Sequence, residues 1–193
     1  MAEHKPKLIL ASRSPRRREL LTAAGYEFEV YPPSEAAESG IRGGETPSQF
    51  VARLACQKAA DVAARIDQGL VLGCDTVVEC DGRILGKPAD RGHARTMLKA
   101  LSGREHRVLS GLCLWQVPGD ESTVDVAVTT LRMDELTPQQ LDEYLAGGQW
   151  SGKAGAFGYQ DGLDWVHIVD GSQSNVVGLP MELLSEMLAR YGL

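Results

Sequence analysis

Three consecutive arginines follow a helix-start signal near the beginning of the chain. Ser14-Pro15 places a serine at the N-cap and a proline at the first helical position, and Arg16-Arg17-Arg18 fill the first turn. The N-terminal end of a helix carries partial positive charge and unpaired N–H groups, so arginine is disfavoured there unless an anion joins it. Helix N–H groups, the Ser12 and Ser14 hydroxyls and the guanidinium groups would together form a phosphate cradle.

A second interpretation of the same turn needs no ligand. The arginines would then pair with Glu19 or face the solvent, and charge alone does not separate the two possibilities. Arg18 fits this second interpretation best. Ser12, Arg16 and Arg17 are therefore the candidate phosphate-binding residues of this segment.

A lysine lies on the apolar stripe of the next predicted helix, which starts at Thr46-Pro47. Lys58 belongs to the same four-residue series as Phe50, Leu54 and Val62. A lysine that faces the core is costly unless its ammonium reaches solvent or meets a negative partner, and reaching solvent is the commoner outcome. Together with the arginine turn, Lys58 becomes a candidate phosphate contact.

An aspartate interrupts an apolar, β-branched run at residues 70–80. The local sequence is Gly73-Cys74-Asp75-Thr76-Val77-Val78. A buried aspartate requires a cation, a metal ion or several hydrogen bonds. Asp75 is therefore either a structural carboxylate bonded to backbone, which is common, or a Mg²⁺ ligand or a base for an attacking water.

The same run continues into a hairpin signal at Asp81-Gly82, followed by a predicted return strand at residues 83–87. A two-residue turn would place Thr76 opposite Lys87, and strict alternation then puts Asp75 on the other face of the sheet. A bulge at Gly86 would re-aim the return strand, so the pattern leaves this geometry open.

A glycine-rich stretch near the C-terminus is the last segment whose residues could take part in binding or catalysis. It reads Ser151-Gly152-Lys153-Ala154-Gly155-Ala156-Phe157-Gly158-Tyr159-Gln160. Small residues let the backbone approach a ligand closely, and the Gln160 amide offers a donor and an acceptor to a base edge. Taken alone, such a stretch is more typical of a plain surface loop.

The elements that would position these residues alternate between strand and helix, with a hairpin among them. This order favours an α/β fold with a mixed central sheet and flanking helices. The predicted strands cover residues 7–11, 28–31, 70–80, 83–87, 107–117, 123–132 and 165–169, and the helices begin near residues 15, 47, 94, 138 and 180.

Bulk properties narrow the function classes. A chain of 193 residues forms one domain, or one domain with two lobes. A net charge of −6 disfavours a protein that coats nucleic acid. The four cysteines show no zinc-site spacing, and no apolar run is long enough to span a bilayer. We expect free thiols and a cytoplasmic protein.

The ordered set of motifs resembles the Maf family, the septum-formation-inhibitor-like nucleotide pyrophosphatases. Each motif is unspecific alone, but their order is highly specific and spans nearly the whole chain. The motifs are Leu10-Ala11-Ser12-Arg13-Ser14-Pro15-Arg16-Arg17, Glu19-Leu20-Leu21, Arg53-Leu54-Ala55, Lys58-Ala59, Gly73-Cys74-Asp75-Thr76-Val77-Val78, Gly86-Lys87-Pro88, Leu101-Ser102-Gly103, Lys153-Ala154-Gly155-Ala156-Phe157-Gly158-Tyr159-Gln160 and Val177-Gly178-Leu179-Pro180.

The resemblance implies a fold and a reaction. The fold would be a single two-lobed Maf/ITPase-like domain over residues 1–193, with the substrate in a cleft between the lobes. The reaction would be cleavage of a nucleoside triphosphate between its α- and β-phosphates, with Mg²⁺ or Mn²⁺. A homodimer is also suggested, whereas neither a nucleic-acid polymer nor a membrane is expected as a partner.

The resemblance also assigns roles to residues. Arg17, Lys58 and Lys87 would hold phosphates, with Lys153 as a further substrate contact, and Asp75 would accept a proton from water and bind the metal. A family glutamate beyond the second strand would share the metal. The local sequence Pro33-Ser34-Glu35-Ala36-Ala37-Glu38 departs from the usual pattern, so Glu38 is the expected ligand and Glu35 the alternative.

Three positions resemble the branch of the family that cleaves dTTP and UTP. They are Arg16, Thr76 and Gln160, and the branch acting on 7-methyl-GTP typically has tryptophan at the first of them. A uracil or thymine edge presents one N–H donor and two carbonyl acceptors, which a glutamine amide can match. The alternatives are 7-methyl-GTP or another triphosphate as substrate, or a division regulator that binds nucleotides without turnover.

Overall fold

The computed structural model describes residues 5–193 and contains one mixed β-sheet with helices around it. The sheet order is β2-β1-β3-β5-β6-β7, and β4 pairs with β3. β1 is parallel to β2 and β3, whereas the β3–β4 and β6–β7 pairs are antiparallel. The predicted mixed α/β class is confirmed.

Most elements lie where the sequence predicts them. The strands are β1 (Leu8–Ala11), β2 (Phe28–Val30), β3 (Gly69–Cys80), β4 (Arg83–Leu85), β5 (Glu105–Val117), β6 (Ser122–Met133) and β7 (Val166–Asp170). The helices are α1 (Pro15–Ala23), α2 (Pro47–Ala63), α3 (Arg91–Leu101), α4 (Pro138–Ala146), α5 (Gln173–Val177) and α6 (Met181–Ala189), and 3₁₀ turns cover Glu35–Ala37, Ala154–Ala156 and Tyr159–Asp161. The short helix α5 is not predicted.

The hairpin after β3 differs from its prediction in one respect. Asp81 and Gly82 both have positive φ, as a two-residue turn requires, and Val78 pairs with Leu85 in the predicted register. However, β4 ends at Leu85, so the predicted return strand is two residues too long. Lys87 lies beyond the strand, so the pairing of Thr76 with Lys87, which the sequence left open, is not part of the β3–β4 ladder.

The chain divides into two compact units. The first contains the residues up to Asp75 together with Ser110–Ala127 and Gly178–Leu193, and the second contains Thr76–Leu109 and Val128–Val177. Each has its own apolar core. That residues 1–193 act as one domain with a substrate cleft stays a prediction.

The sheet of the first unit is covered on both faces. In β1, Leu8 and Leu10 pack with residues of α1 and α6, whereas Ile9 and Ala11 pack with residues of α2. This split follows the two-residue period of a strand. By the same period, Gly73 and Asp75 of β3 face the side that carries α2.

Two glycines let α2 approach the sheet closely. A Cβ at Gly73 would lie 2.1 Å from the Ala55 carbonyl oxygen, and one at Gly111 would lie 2.4 Å from the Val51 carbonyl oxygen. Both distances are far below ordinary van der Waals contact. The backbone of α2 therefore rests directly on β3 and β5, which brings its next turn beside Asp75.

The four cysteines are free, with Cys56 half-buried and the other three buried. Between residues 5 and 193, no helix combines the length and the apolar composition needed to cross a membrane.

We predict that Gly73→Ala and Gly111→Ala each lower the free energy of unfolding by about 2–3 kcal/mol, because the new methyl group must displace the α2 backbone. Urea unfolding measures the effect. Gly43→Ala is the matched control, since its methyl group would meet nothing within 4 Å, and it should stay within about 0.5 kcal/mol of wild type. Unchanged midpoints for the first two variants would contradict the close packing.

Candidate active site

Arg17 is buried at the start of α1 and bonded mainly to backbone. Its Nε donates to the Gly178 carbonyl at 2.8 Å, and its Nη1 donates to the Cys74 carbonyl at 2.8 Å and to Ser12 Oγ at 3.2 Å. Ser12 is also buried, and its Oγ accepts the backbone N–H of Ser14 at 3.1 Å. Arg17 therefore ties α1 to β3 and to the segment that precedes α6.

This arrangement refines the interpretation of the arginine turn. Ser14 is the N-cap and Pro15 opens the helix, as predicted, but the Ser14 side chain makes no cap hydrogen bond. Arg16 is half-buried and Arg18 is exposed. Carbonyl oxygens and a hydroxyl compensate the buried charge of Arg17 within the protein, a role that its sequence position did not reveal.

Lys58 and Asp75 form an ion pair within the first unit. Lys58 Nζ donates to Asp75 Oδ1 at 2.6 Å, and the two side chains are 8% and 13% exposed. Asp75 thus supplies the negative partner that Lys58 requires on the core-facing stripe of α2. Charges this close and this well covered hold each other in place, because losing one partner would strand the other.

Glu38 approaches the same ammonium group. Its carboxylate lies 3.6 Å from Lys58 Nζ, and its side chain is 47% exposed. Glu38 follows the 3₁₀ turn that begins at Glu35 and closes it with a backbone bond to the Glu35 carbonyl. The cluster formed by Glu38, Lys58 and Asp75 is called the acidic–lysine cluster below.

The acidic–lysine cluster has the chemistry of a partial site for a hard cation. Across residues 5–193, no group of three or more His, Cys, Asp or Glu side chains is arranged to hold a metal by itself. Mg²⁺, however, usually binds proteins through one or two carboxylates and takes its other ligands from water and substrate phosphates. Asp75 and Glu38 fit that pattern.

The glycine-rich stretch of the second unit brings two more candidates together. Lys153 donates to the Asp161 carboxylate, and both side chains are 12% exposed. Gly158 lies between these groups and the Gln160 amide, since a Cβ there would fall within 2.8 Å of all three. Asp161, which the sequence did not single out, thus fixes Lys153 beside Gln160.

The same stretch is linked to the segment that carries Lys87. The Gly155 N–H donates to the Gly86 carbonyl at 3.0 Å, one residue before Lys87, whose own side chain is exposed. Thr76 is half-buried in β3. The glycine-rich stretch is therefore bonded through Gly155 to the residue that precedes Lys87.

The aromatic ring of Phe157 anchors this stretch to the core of the second unit. It meets the ring of His106 edge to face, with centroids 5.4 Å apart. His106 is buried, and burial lowers its pKa to about 4 because the charged form loses its hydration.

Comparison with known proteins identifies the chain. A family model described as Maf-like protein matches residues 7–191. The chain belongs to the Maf family. One relative in Rhodopirellula baltica, named dTTP/UTP pyrophosphatase, is 59% identical over 95% of this chain and 82% of its own length. Another with the same name, from Moorella thermoacetica, is 45% identical over 96% of this chain and 95% of its own.

A solved structure supports the fold. The HAM1 protein from Coxiella burnetii matches with a TM-score of 0.54 and 18% identity, over 96% of this chain and 99% of that one. At this identity the likeness concerns the fold alone. The Maf resemblance of the motifs and the α/β class are both confirmed.

We predict that Arg17→Met lowers the free energy of unfolding by about 2–4 kcal/mol, because hydrogen bonds from a charged donor to Cys74 and Gly178 are lost. Arg18→Met is the matched control and should change it by no more than about 0.5 kcal/mol, since Arg18 is exposed. Thermal or urea unfolding compares the two. Equal effects at both positions would argue against a structural role for Arg17.

We predict that the buried His106 lowers the free energy of unfolding as the pH falls. The unfolded chain binds this proton at the ordinary histidine pKa, whereas the folded protein binds it only near 4. Stability is therefore unaffected above about pH 6.5 and is lost as pH falls towards 4, by about 2 kcal/mol at pH 5. Urea unfolding of His106→Leu at pH 7 and pH 5 should show a correspondingly smaller loss, and an identical loss would contradict the assignment.

Proposed function

We propose that this Maf-family chain is a nucleoside triphosphate pyrophosphatase that hydrolyses dTTP and UTP to the nucleoside monophosphate and pyrophosphate. The observation that carries the proposal is the acidic–lysine cluster, which holds a carboxylate in a fixed place beside a buried ammonium. The names of the close relatives supply the substrate class. Water is the second reactant, and the bond between the α-phosphorus and the bridging oxygen is broken.

Asp75 is the proton acceptor in this proposal. Lys58 holds Asp75 Oδ1, which fixes the carboxylate and leaves Oδ2 to take the proton of a water that attacks the α-phosphorus. A positioned carboxylate of this kind acts as a general base. The pyrophosphate departs on the opposite side of the phosphorus, as an in-line displacement requires.

Positive groups offset the charge that develops on the phosphates during cleavage. We assign Lys58, Lys87 and Lys153 to direct phosphate contact, together with Arg16 and the Ser12 hydroxyl at the start of α1. Arg17 adds its charge at the start of α1 while its N–H groups hold the Cys74 and Gly178 carbonyls.

Glu38 and Asp75 are the residues that would hold a divalent cation, since their carboxylates lie 3.6 and 2.6 Å from the same ammonium group. Mg²⁺ or Mn²⁺ held by these carboxylates would neutralise charge on the phosphates and would lower the pKa of water. Hard oxygen donors suit both ions.

Base selection falls to Arg16, Thr76 and Gln160. The Gln160 amide lies near the ammonium of Lys153, which is paired with Asp161. An amide can donate to a pyrimidine carbonyl and accept from its N3–H. A cytoplasmic location, where reduced thiols persist, and a homodimer complete the proposal.

The experiment is pyrophosphate release by the purified protein from dTTP, UTP, CTP, GTP, ATP and 7-methyl-GTP, with Mg²⁺ and with Mn²⁺. Turnover of dTTP and UTP well above the others is the expected result. Turnover of 7-methyl-GTP alone would keep the reaction and discard the base-selection residues. Tight nucleotide binding with no pyrophosphate from any substrate would establish a non-catalytic binding protein instead.

We predict that Asp75→Asn lowers kcat for dTTP by about 100-fold or more, because the amide cannot accept the proton of the attacking water. The folded structure should persist, as the amide oxygen still accepts a hydrogen bond from Lys58. Circular dichroism checks the fold, and steady-state kinetics at saturating metal checks kcat. Asp125→Asn, an exposed aspartate of β6, is the control, and near wild-type kcat for Asp75→Asn would refute the assignment.

A further inference from the structure

The segment that carries Glu38 has little regular structure of its own. Between β2 and α2, residues 31–46 contain one 3₁₀ turn at Glu35–Ala37 and no further helix or strand. This segment is called the β2–α2 loop below. Because it lacks a hydrogen-bonded ladder, the position of Glu38 depends on side chains that bind the loop to the rest of the first unit.

Arg53 of α2 binds the C-terminal half of the loop through several bonds. Its Nε and Nη2 donate to the two oxygens of Glu45 at 2.6 and 2.7 Å, a bidentate pair. Its Nη1 donates to Ser39 Oγ at 2.7 Å, and its Nη2 also donates to the Gly40 carbonyl at 3.0 Å. Ser39 is the residue directly after Glu38.

Gln57, the residue directly before Lys58, also belongs to this network. The Gln57 side-chain oxygen accepts from Ser39 Oγ and from Arg53 Nη1, both at 2.9 Å. The residue that follows Glu38 is thus bonded to the residue that precedes Lys58. Arg53 and Glu45 form the centre of the network, and their side chains are only 14% and 9% exposed.

The N-terminal half of the loop is held on the same helix. The Asp61 carboxylate accepts the Ser34 N–H at 2.9 Å and the Ser34 hydroxyl at 2.5 Å. Arg65, just beyond α2, donates to the Pro32 carbonyl at 2.9 Å. Glu38 lies between these two attachments, so α2 carries both Lys58 and the groups that place Glu38 beside it.

We propose that Arg53 is a positioning residue for the Glu38 carboxylate, and that its planar fork sets how tightly the protein binds its divalent cation. This inference rests on the proposed function. Lysine cannot replace Arg53, since an ammonium cannot bind both Glu45 oxygens together with Ser39 and Gly40 in one plane. The Arg53 guanidinium also lowers the pKa of Glu45 to about 2, so the pair stays ionised at any pH near neutrality.

The test compares how tightly wild type and Arg53→Lys bind Mn²⁺ in the absence of nucleotide. Electron paramagnetic resonance measures the free Mn²⁺ in each titration. Loss of partners that orient metal ligands typically weakens metal binding by about 10–100-fold. We expect a weakening in that range for Arg53→Lys. We expect the same for Glu45→Gln, which replaces the carboxylate that accepts both hydrogen bonds from Arg53. Unchanged Mn²⁺ affinity in both variants would overturn the proposal.

A double-mutant comparison separates positioning from a general loss of structure. In a Glu38→Gln background the carboxylate to be positioned is gone, so Arg53→Lys should weaken Mn²⁺ binding no further. An equal weakening with and without Glu38 would overturn the proposal. Arg95→Lys is the matched control, because Arg95 pairs with Asp142 on the exposed surface of the second unit and should bind Mn²⁺ like wild type.

Kinetics distinguish failure of this inference from failure of the proposed function. Arg53→Lys should raise the Mn²⁺ concentration for half-maximal dTTP cleavage and recover most of kcat at saturating Mn²⁺. Wild-type turnover with unchanged metal dependence in Arg53→Lys would overturn the role of Arg53 alone. Mn²⁺ binding that depends on Arg53 in a protein with no turnover would support positioning and refute the proposed reaction.

Discussion

The ion pair between Lys58 and Asp75 is the interaction on which the chemistry proposed for the first unit depends. Both groups are largely removed from water, so burying either charge without the other is costly, and a 2.6 Å contact compensates both. This contact requires the fourth turn of α2 to reach the middle of β3. The glycines at 73 and 111 provide that approach, because any side chain there would hold the helix away from the strands.

Helix α2 therefore has two functions in the architecture. Its apolar face covers one side of the sheet through Ala55, Ala59 and Val62, while its other positions organise a loop with little regular structure of its own. A well-formed capping box at Thr46 and Gln49 fixes where the helix begins, and with it the register of all its side chains. One rigid element thus sets the spacing between an ammonium group and two carboxylates, which loops alone would hold less accurately.

Local sequence signals predicted the positions of the helices and strands well, because these signals depend on interactions between residues that are close in the chain. The helix starts at Pro47 and Pro138, the proline at the start of α1 and the turn at Asp81-Gly82 lie where the sequence placed them. The mixed α/β class followed from the order of such signals, whereas the family followed from the resemblance of the ordered motifs. The end of β4 was missed because strand ends depend on tertiary context.

Contacts between residues that are distant in the chain could not be predicted from sequence patterns. Phosphate binding by Arg17 stays a prediction, but its bonds to Cys74 and Gly178, which lie 57 and 161 residues away, could not be inferred from the sequence. The pairing of Arg53 with Glu45 spans eight residues but crosses from a helix to an irregular loop, which no periodic pattern describes. Lys58 was predictable in part, because a lysine on an apolar stripe implies a partner without naming it.

The central claim is that Lys58 and Asp75 act as one unit in the cleavage of nucleoside triphosphates. The most direct measurement is single-turnover cleavage of dTTP by Lys58→Met, Asp75→Asn and the double variant. Residues that act as a unit show strongly non-additive losses, so the double variant should be about as slow as the slower single variant. Losses that multiply in the double variant would show that the two residues act independently, and would contradict the account.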